Sequence, residues 1–283
     1  MKTKRGGIKT VFRVRNLIFI SMLFLLSVMS CTQKITEENY LKLSDELWEQ
    51  YEIDMGKLSE ILDKYPEKTD SLNKVIDIVT NIAEKKYREL AIKFASVPSG
   101  LESLYGIRLD FPKDTLQSII SKLPDNMKNS PYGKSILLHI NSEQIEEGSR
   151  FYDFEAITSE GDKFELSSLK GKNVLFLYGG LDCIREGGRA YLDSLYRETS
   201  RNNLEIVVYC PNSDLESLKG ERKRYSCDYL LVSDFLQDHT PVKIIYGAQA
   251  TPTCFFINRQ GIVEMKTMGI YRERVNELVN KNN

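Results

Sequence analysis

The chain has 283 residues, 41% hydrophobic and 28% charged, which excludes a disordered polypeptide and is more than one small domain needs. Its formal net charge of −1 conceals a basic leader, because residues 1–30 carry Lys2, Lys4, Arg5, Lys9, Arg13 and Arg15 and no acidic residue. Without them 33 basic side chains face 40 acidic ones, a net charge of −7 that gives no support to nucleic-acid binding.

Within the leader, the basic stretch runs into the apolar segment "LIFISMLFLLSVMS", which stops immediately before Cys31. A basic region followed by an apolar run too short for an ordinary spanning helix predicts an export signal over residues 1–30. Val28, Met29 and Ser30 before Cys31 resemble a bacterial lipobox, so Cys31 is the expected lipidation site. Acyl chains on it would hold the protein on the cell envelope, facing the periplasm or the cell surface. Four other cysteines, Cys183, Cys210, Cys227 and Cys254, would then lie in an oxidising or actively managed compartment. They form no C-x-x-C pair and the chain has two histidines, His139 and His239, so no zinc site and no cofactor are expected.

Residues 31–146 read as an all-α region. Tyr40, Leu47, Trp48 and Tyr51 share a helical face, continued by Leu58, Ile61, Leu62 and Tyr65 until Pro66 interrupts it. A second long helix is predicted over 71–94, with Leu72, Val75, Ile76, Val79, Ile82 and Ala83 at three- and four-residue spacing. Val97-Pro98-Ser99-Gly100 punctuates its end, and shorter helices are expected over 113–123 and 130–141.

The period changes near Gly148, opening a domain expected over 147–283. Strand-like segments flank a turn at Glu160-Gly161-Asp162, and the continuous apolar run from Val174 to Tyr178 suits a strand buried on both faces. Helix 185–200, strand 204–210, helix 214–224, strand 229–232, a short helix around 242–246, strands 253–258 and 262–267, and helix 272–280 follow. This alternation predicts an α/β fold, a mixed sheet flanked by helices.

Four stretches of this half resemble the thioredoxin-like domains of the TlpA and AhpC/TSA type found in exported bacterial lipoproteins. They are "GSRFYDF", "LSSLKGKNVLFLY", "YGAQATPTCFFINRQGIV" and the closing helix. The resemblance implies a C-terminal thioredoxin-like fold and thiol–disulfide chemistry. It also implies that Cys183, nine residues after Val174, stands at the position of the nucleophilic thiol. The second cysteine of the usual C-x-x-C would fall at Glu186, so the motif reads C-I-R-E, a degenerate C-x-x-E. The resemblance further implies a cis peptide at Thr251-Pro252, with the backbone of Thr251 pairing with a substrate chain.

A thiolate attacks disulfides, and the start of a helix stabilises a thiolate through unpaired backbone N–H groups and the helix dipole. Asp182 and Glu186 oppose that effect beside Cys183, whereas Arg185 and Arg189 offset them. Glu186 offers no second sulfur to release a mixed disulfide. Cys210, expected at the end of a neighbouring strand, is a candidate resolving thiol, with a plain buried cysteine as its alternative.

Three functions stay open. The first is a membrane-anchored thiol–disulfide oxidoreductase with a monothiol site, acting on exported thiol or disulfide proteins or on small thiols. The second is an inactive binding or scaffold module. The third is a peroxiredoxin-like peroxidase, which ranks lower because the P-x-x-x-[ST]-x-x-C pattern is absent.

Overall fold

The computed structural model describes residues 34–282, so the export leader and Cys31 lie outside the described residues. The chain divides into two compact units, with the boundary between Gly133 and Lys134.

The first unit is helical. Helix α1 (Glu37–Lys64) begins at Thr36, whose hydroxyl accepts a hydrogen bond from the Asn39 N–H at 3.2 Å and so caps the first turn. It ends at Tyr65, where Pro66 forbids continuation. Helix α2 (Thr69–Lys93) packs back on it, and their facing stripes bury Leu58, Leu72 and Val79 at one end and Tyr40, Leu90 and Phe94 at the other. The Pro98-Ser99-Gly100 stretch, read above as a break, opens a third helix, α3 (Pro98–Gly106). Proline at the first helical position lacks an N–H that would go unused there, so it starts a helix as readily as it stops one. Helices α4 (Lys113–Ser121) and α5 (Asp125–Lys128) follow, and α6 (Pro131–Asn141) begins in this unit and continues into the second.

The second unit is built on a seven-stranded mixed sheet. Its strands are β1 (Glu155–Thr158), β2 (Lys163–Glu165), β3 (Asn173–Tyr178), β4 (Leu204–Tyr209), β5 (Leu230–Ser233), β6 (Thr253–Ile257) and β7 (Val263–Met268), in the order β2-β1-β5-β4-β3-β6-β7. Strands β3, β4 and β5 run parallel, while β6 returns antiparallel to β3 and β7 antiparallel to β6. Strands β3 and β4 are buried at every position, in keeping with central strands covered on both faces.

Side-chain alternation splits these residues between two cores. Leu175, Leu177, Ile206, Val208, Cys254 and Phe256 meet Leu192 and Leu195 of α7 (Glu186–Glu198), Leu218 of α8 (Leu215–Tyr225) and Val275 and Leu278 of α10 (Arg272–Lys281). On the opposite face Phe176, Tyr178, Val207, Tyr209 and Phe255 meet Phe154, Phe164, Tyr246 and Val242 of α9 (Pro241–Ile245). Parallel strands joined through helices send their C-terminal ends to one edge of the layer, where open α/β sheets build their sites. Both chemistry-bearing segments of the sequence are found there.

Candidate functional site

Strand β3 ends at Tyr178, and the chain turns through Gly179, Gly180, Leu181, Asp182, Cys183 and Ile184 before α7 begins at Glu186. The Gly179 and Gly180 N–H groups both donate to the Tyr209 carbonyl, at 3.0 and 3.1 Å, which folds the chain tightly over the end of β4. Leu181 to Ile184 then form a turn closed by a 3.1 Å bond from the Ile184 N–H to the Leu181 carbonyl. Cys183 is exposed at this turn, whereas Leu181 and Ile184 on either side insert into the core. Their burial fixes the ends of the turn and leaves the sulfur facing solvent.

The helix starts one residue later than the sequence suggests, with Arg185 as its extended N-cap, so Cys183 stands two residues before the cap. Glu186, standing where a second cysteine would be, is the first helical residue and is exposed.

The charges around the sulfur are arranged differently from the expectation. Arg189 is turned onto the loop, where its guanidinium donates to the Leu181 carbonyl at 3.3 Å and to the Ile184 carbonyl, and it lies over the Tyr225 ring at 4.5 Å. Its role is to hold the turn together. Asp182 is paired with Arg224 of α8 at 2.9 Å and accepts from the Tyr225 hydroxyl. The acidic side chain next to Cys183 is thus compensated by a partner that sequence proximity did not reveal.

The Thr251-Pro252 peptide is cis. The following residue, Thr253, opens β6 and pairs with Tyr178, so this segment meets the end of β3 from the side. Gly179 adopts φ +131°, and a Cβ there would lie 2.7 Å from the Thr251 Cβ, so only glycine lets the two segments approach. Thr251 is exposed, and the Pro252 carbonyl accepts the Gly269 N–H at 2.7 Å, tying the segment to the end of β7.

Of the four cysteines among the described residues, the three besides Cys183 are buried, and all four are free thiols. Burial, together with the Glu221 carboxylate and Cys227, pushes the Cys210 thiol well above its ordinary range. Burial likewise pushes Cys227 up to about 11 and Cys254 up to about 12. Strand β4 stops at Tyr209, so Cys210 lies just beyond it, with its N–H donating to the Val232 carbonyl at 2.8 Å and its side chain fully enclosed.

One residue at the site went unnoticed in the sequence. Glu221 of α8 is 6% exposed, and its carboxylate accepts the Leu181 N–H. Its signal was there, since it follows the core residue Leu218 by three positions and falls on the same helical face.

Fold and site together define a thioredoxin-like domain, with a cysteine on the turn between a central strand and a helix and a cis-proline segment at the same end of the sheet. A model of the AhpC/TSA family matches residues 148–266, within this domain. The chain is similar to the thiol-disulfide oxidoreductase ResA of Bacillus cereus, 27% identical over 130 residues that cover 46% of this chain and 73% of that protein. It is also similar to ResA of Bacillus subtilis (strain 168), 28% identical over 134 residues, covering 46% and 72%. Among solved structures, the thioredoxin domain of a thiol-disulfide oxidoreductase from Bacteroides vulgatus is 19% identical, with a TM-score of 0.43 over 48% of this chain and 100% of that one. A thiol-disulfide oxidoreductase from Bacteroides fragilis is 17% identical, with a TM-score of 0.42 over 46% and 99%.

Proposed function

We propose that this is an exported, lipid-anchored thiol–disulfide oxidoreductase that works through Cys183 alone. The Cys183 thiolate attacks a disulfide R–S–S–R′, forming the mixed disulfide Cys183–S–S–R and releasing R′–S⁻. An external thiol R″–SH, deprotonated as it attacks, regenerates the Cys183 thiolate and carries R away as R–S–S–R″. No net oxidant is needed, because the cycle exchanges one disulfide for another. Substrates of this chemistry are exported proteins with thiols or disulfides, or small thiols, and the backbone of Thr251 beside Pro252 is suited to align an extended chain against the sulfur. The basic leader and Cys31 support anchoring through acyl chains, with the folded part outside the cytoplasm. Among the described residues no helix is long and apolar enough to cross a membrane.

The observation that carries this reading is the contrast among the thiols: Cys183 is exposed at the turn, while Cys210, Cys227 and Cys254 are enclosed in the core. Turnover of insulin or scrambled ribonuclease with glutathione as the external thiol tests it. The expected result is activity in the native protein and none in Cys183→Ser; equal activity in both would overturn it. A second reading, a binding module without turnover, is favoured by Glu186 occupying the place of a second sulfur. It predicts no turnover and the same captured partners for the native protein and Cys183→Ser.

A further inference from the structure

Helix α8 approaches the Cys183 turn along its C-terminal half. Arg224 and Tyr225 hold Asp182 at the surface. One turn earlier Glu221 reaches the same loop from inside, where a carboxylate is costly to bury unless its oxygens find donors. One donor is on hand: the Leu181 N–H bonds to Oε1. The Cys210 thiol donates instead to the Val208 carbonyl at 3.7 Å, and the charge of the Glu221 carboxylate adds to the burial that raises it. Room for the carboxylate is made by Gly180, at φ +72°, where a Cβ would stand 2.9 Å from Oε1.

We infer that Glu221 is a positioning residue for Cys183: its buried carboxylate clamps the Leu181 N–H and so holds the turn with the sulfur outward. Because Leu181 lies two residues before Cys183 and its carbonyl closes the turn, releasing its N–H frees the segment that sets where the sulfur points. Among the described residues the other acidic side chain bonded at this loop, Asp182, is paired with Arg224 on its outer side. The inference rests on Cys183 as the working thiol, and its test needs no disulfide substrate.

The test uses the full mature chain and three substitutions that separate reach from charge. Glu221→Gln keeps the length and an acceptor oxygen but loses the charge. Glu221→Asp keeps the charge and withdraws it by one methylene, and Glu221→Ala removes both. Two quantities are followed: hydrogen exchange of the Leu181 amide and the rate of Cys183 alkylation by iodoacetamide, with Cys183→Ser as the blank. In Glu221→Asp and Glu221→Ala the Leu181 amide is expected to exchange at least roughly tenfold faster, as loss of a hydrogen bond to a carboxylate implies. Cys183 alkylation is expected to change by at least about threefold and Cys210 to become alkylatable, while Glu221→Gln stays near the native values. Should Glu221→Ala not fold, the contrast between the Asp and Gln variants decides alone. Faster Leu181 exchange with unchanged Cys183 alkylation would mean a contact that only supports the fold, and it would overturn the inference. A native-like Asp variant beside a defective Gln variant would overturn it too, since charge and not reach would then be what matters. Failure of the insulin assay together with the expected alkylation pattern would remove the proposed activity and leave the positioning role standing.

Discussion

At the scale of single residues, the site depends on side chains that are small or enclosed. Gly179 lacks a Cβ where one would strike Thr251, and its φ of +131° lies in a region that other residues adopt at a cost. Gly179→Ala is therefore expected to lower stability by about 1–3 kcal/mol and to slow Cys183 exchange by displacing the segment around Pro252. Thermal unfolding and the insulin assay read the two effects; a variant as stable and as active as the native protein would contradict this account of the contact. The reason for glycine at 179 and 180 is not legible in the sequence, because it lies in Thr251, 72 positions from the first, and in Glu221, 41 positions from the second.

The elements were more readable than the contacts between them. Strand β3 announced itself as a continuous apolar run, and counting from Val174 set Cys183 just ahead of a helix. The helix begins one residue late, because Arg185 adopts an extended conformation as its cap. The helix at Pro98 was hidden, since Pro and Gly within three residues of each other look alike at a turn and at a helix start. What periodicity could not show is that α8 serves the site. Its surface residues Arg224 and Tyr225 engage Asp182, and its core-facing Glu221 engages Leu181. Arg224 and Asp182 are both exposed, so Arg224→Ala is expected to leave the stability close to that of the native protein. Its effect should appear at the sulfur, where an uncompensated Asp182 slows Cys183 alkylation at pH 7 by up to roughly fivefold. Alkylation kinetics at low and high salt check this; acceleration in the variant would contradict it.

For the whole molecule, the chain joins a helical unit to a thioredoxin-like one; the compact units divide at Gly133/Lys134, within α6, upstream of the 146/147 boundary expected from the change of period. Burial of three thiols in the second unit gives the protein a signature at alkaline pH. Cys227 and Cys254 are raised from an ordinary value of 9.0 to about 11 and about 12. With the folded values above the unfolded ones, the stabilisation is complete below pH 9 and is lost as pH rises from there towards the folded values. Between about pH 9 and 11 stability is expected to fall by up to about 1.4 kcal/mol per pH unit for each of the two thiols. Denaturant unfolding across that range measures the slope, and Cys254→Ala should make it shallower. A slope that does not depend on Cys254 would contradict the assignment.

The central claim, that one exposed sulfur carries the exchange chemistry, is tested most directly by intact mass after incubation of the folded mature protein with glutathione disulfide. The account predicts a single glutathione adduct, mapping to Cys183 and missing from Cys183→Ser, with Cys210, Cys227 and Cys254 unmodified. No adduct, or conversion of Cys183 and Cys210 to an internal disulfide, would contradict it.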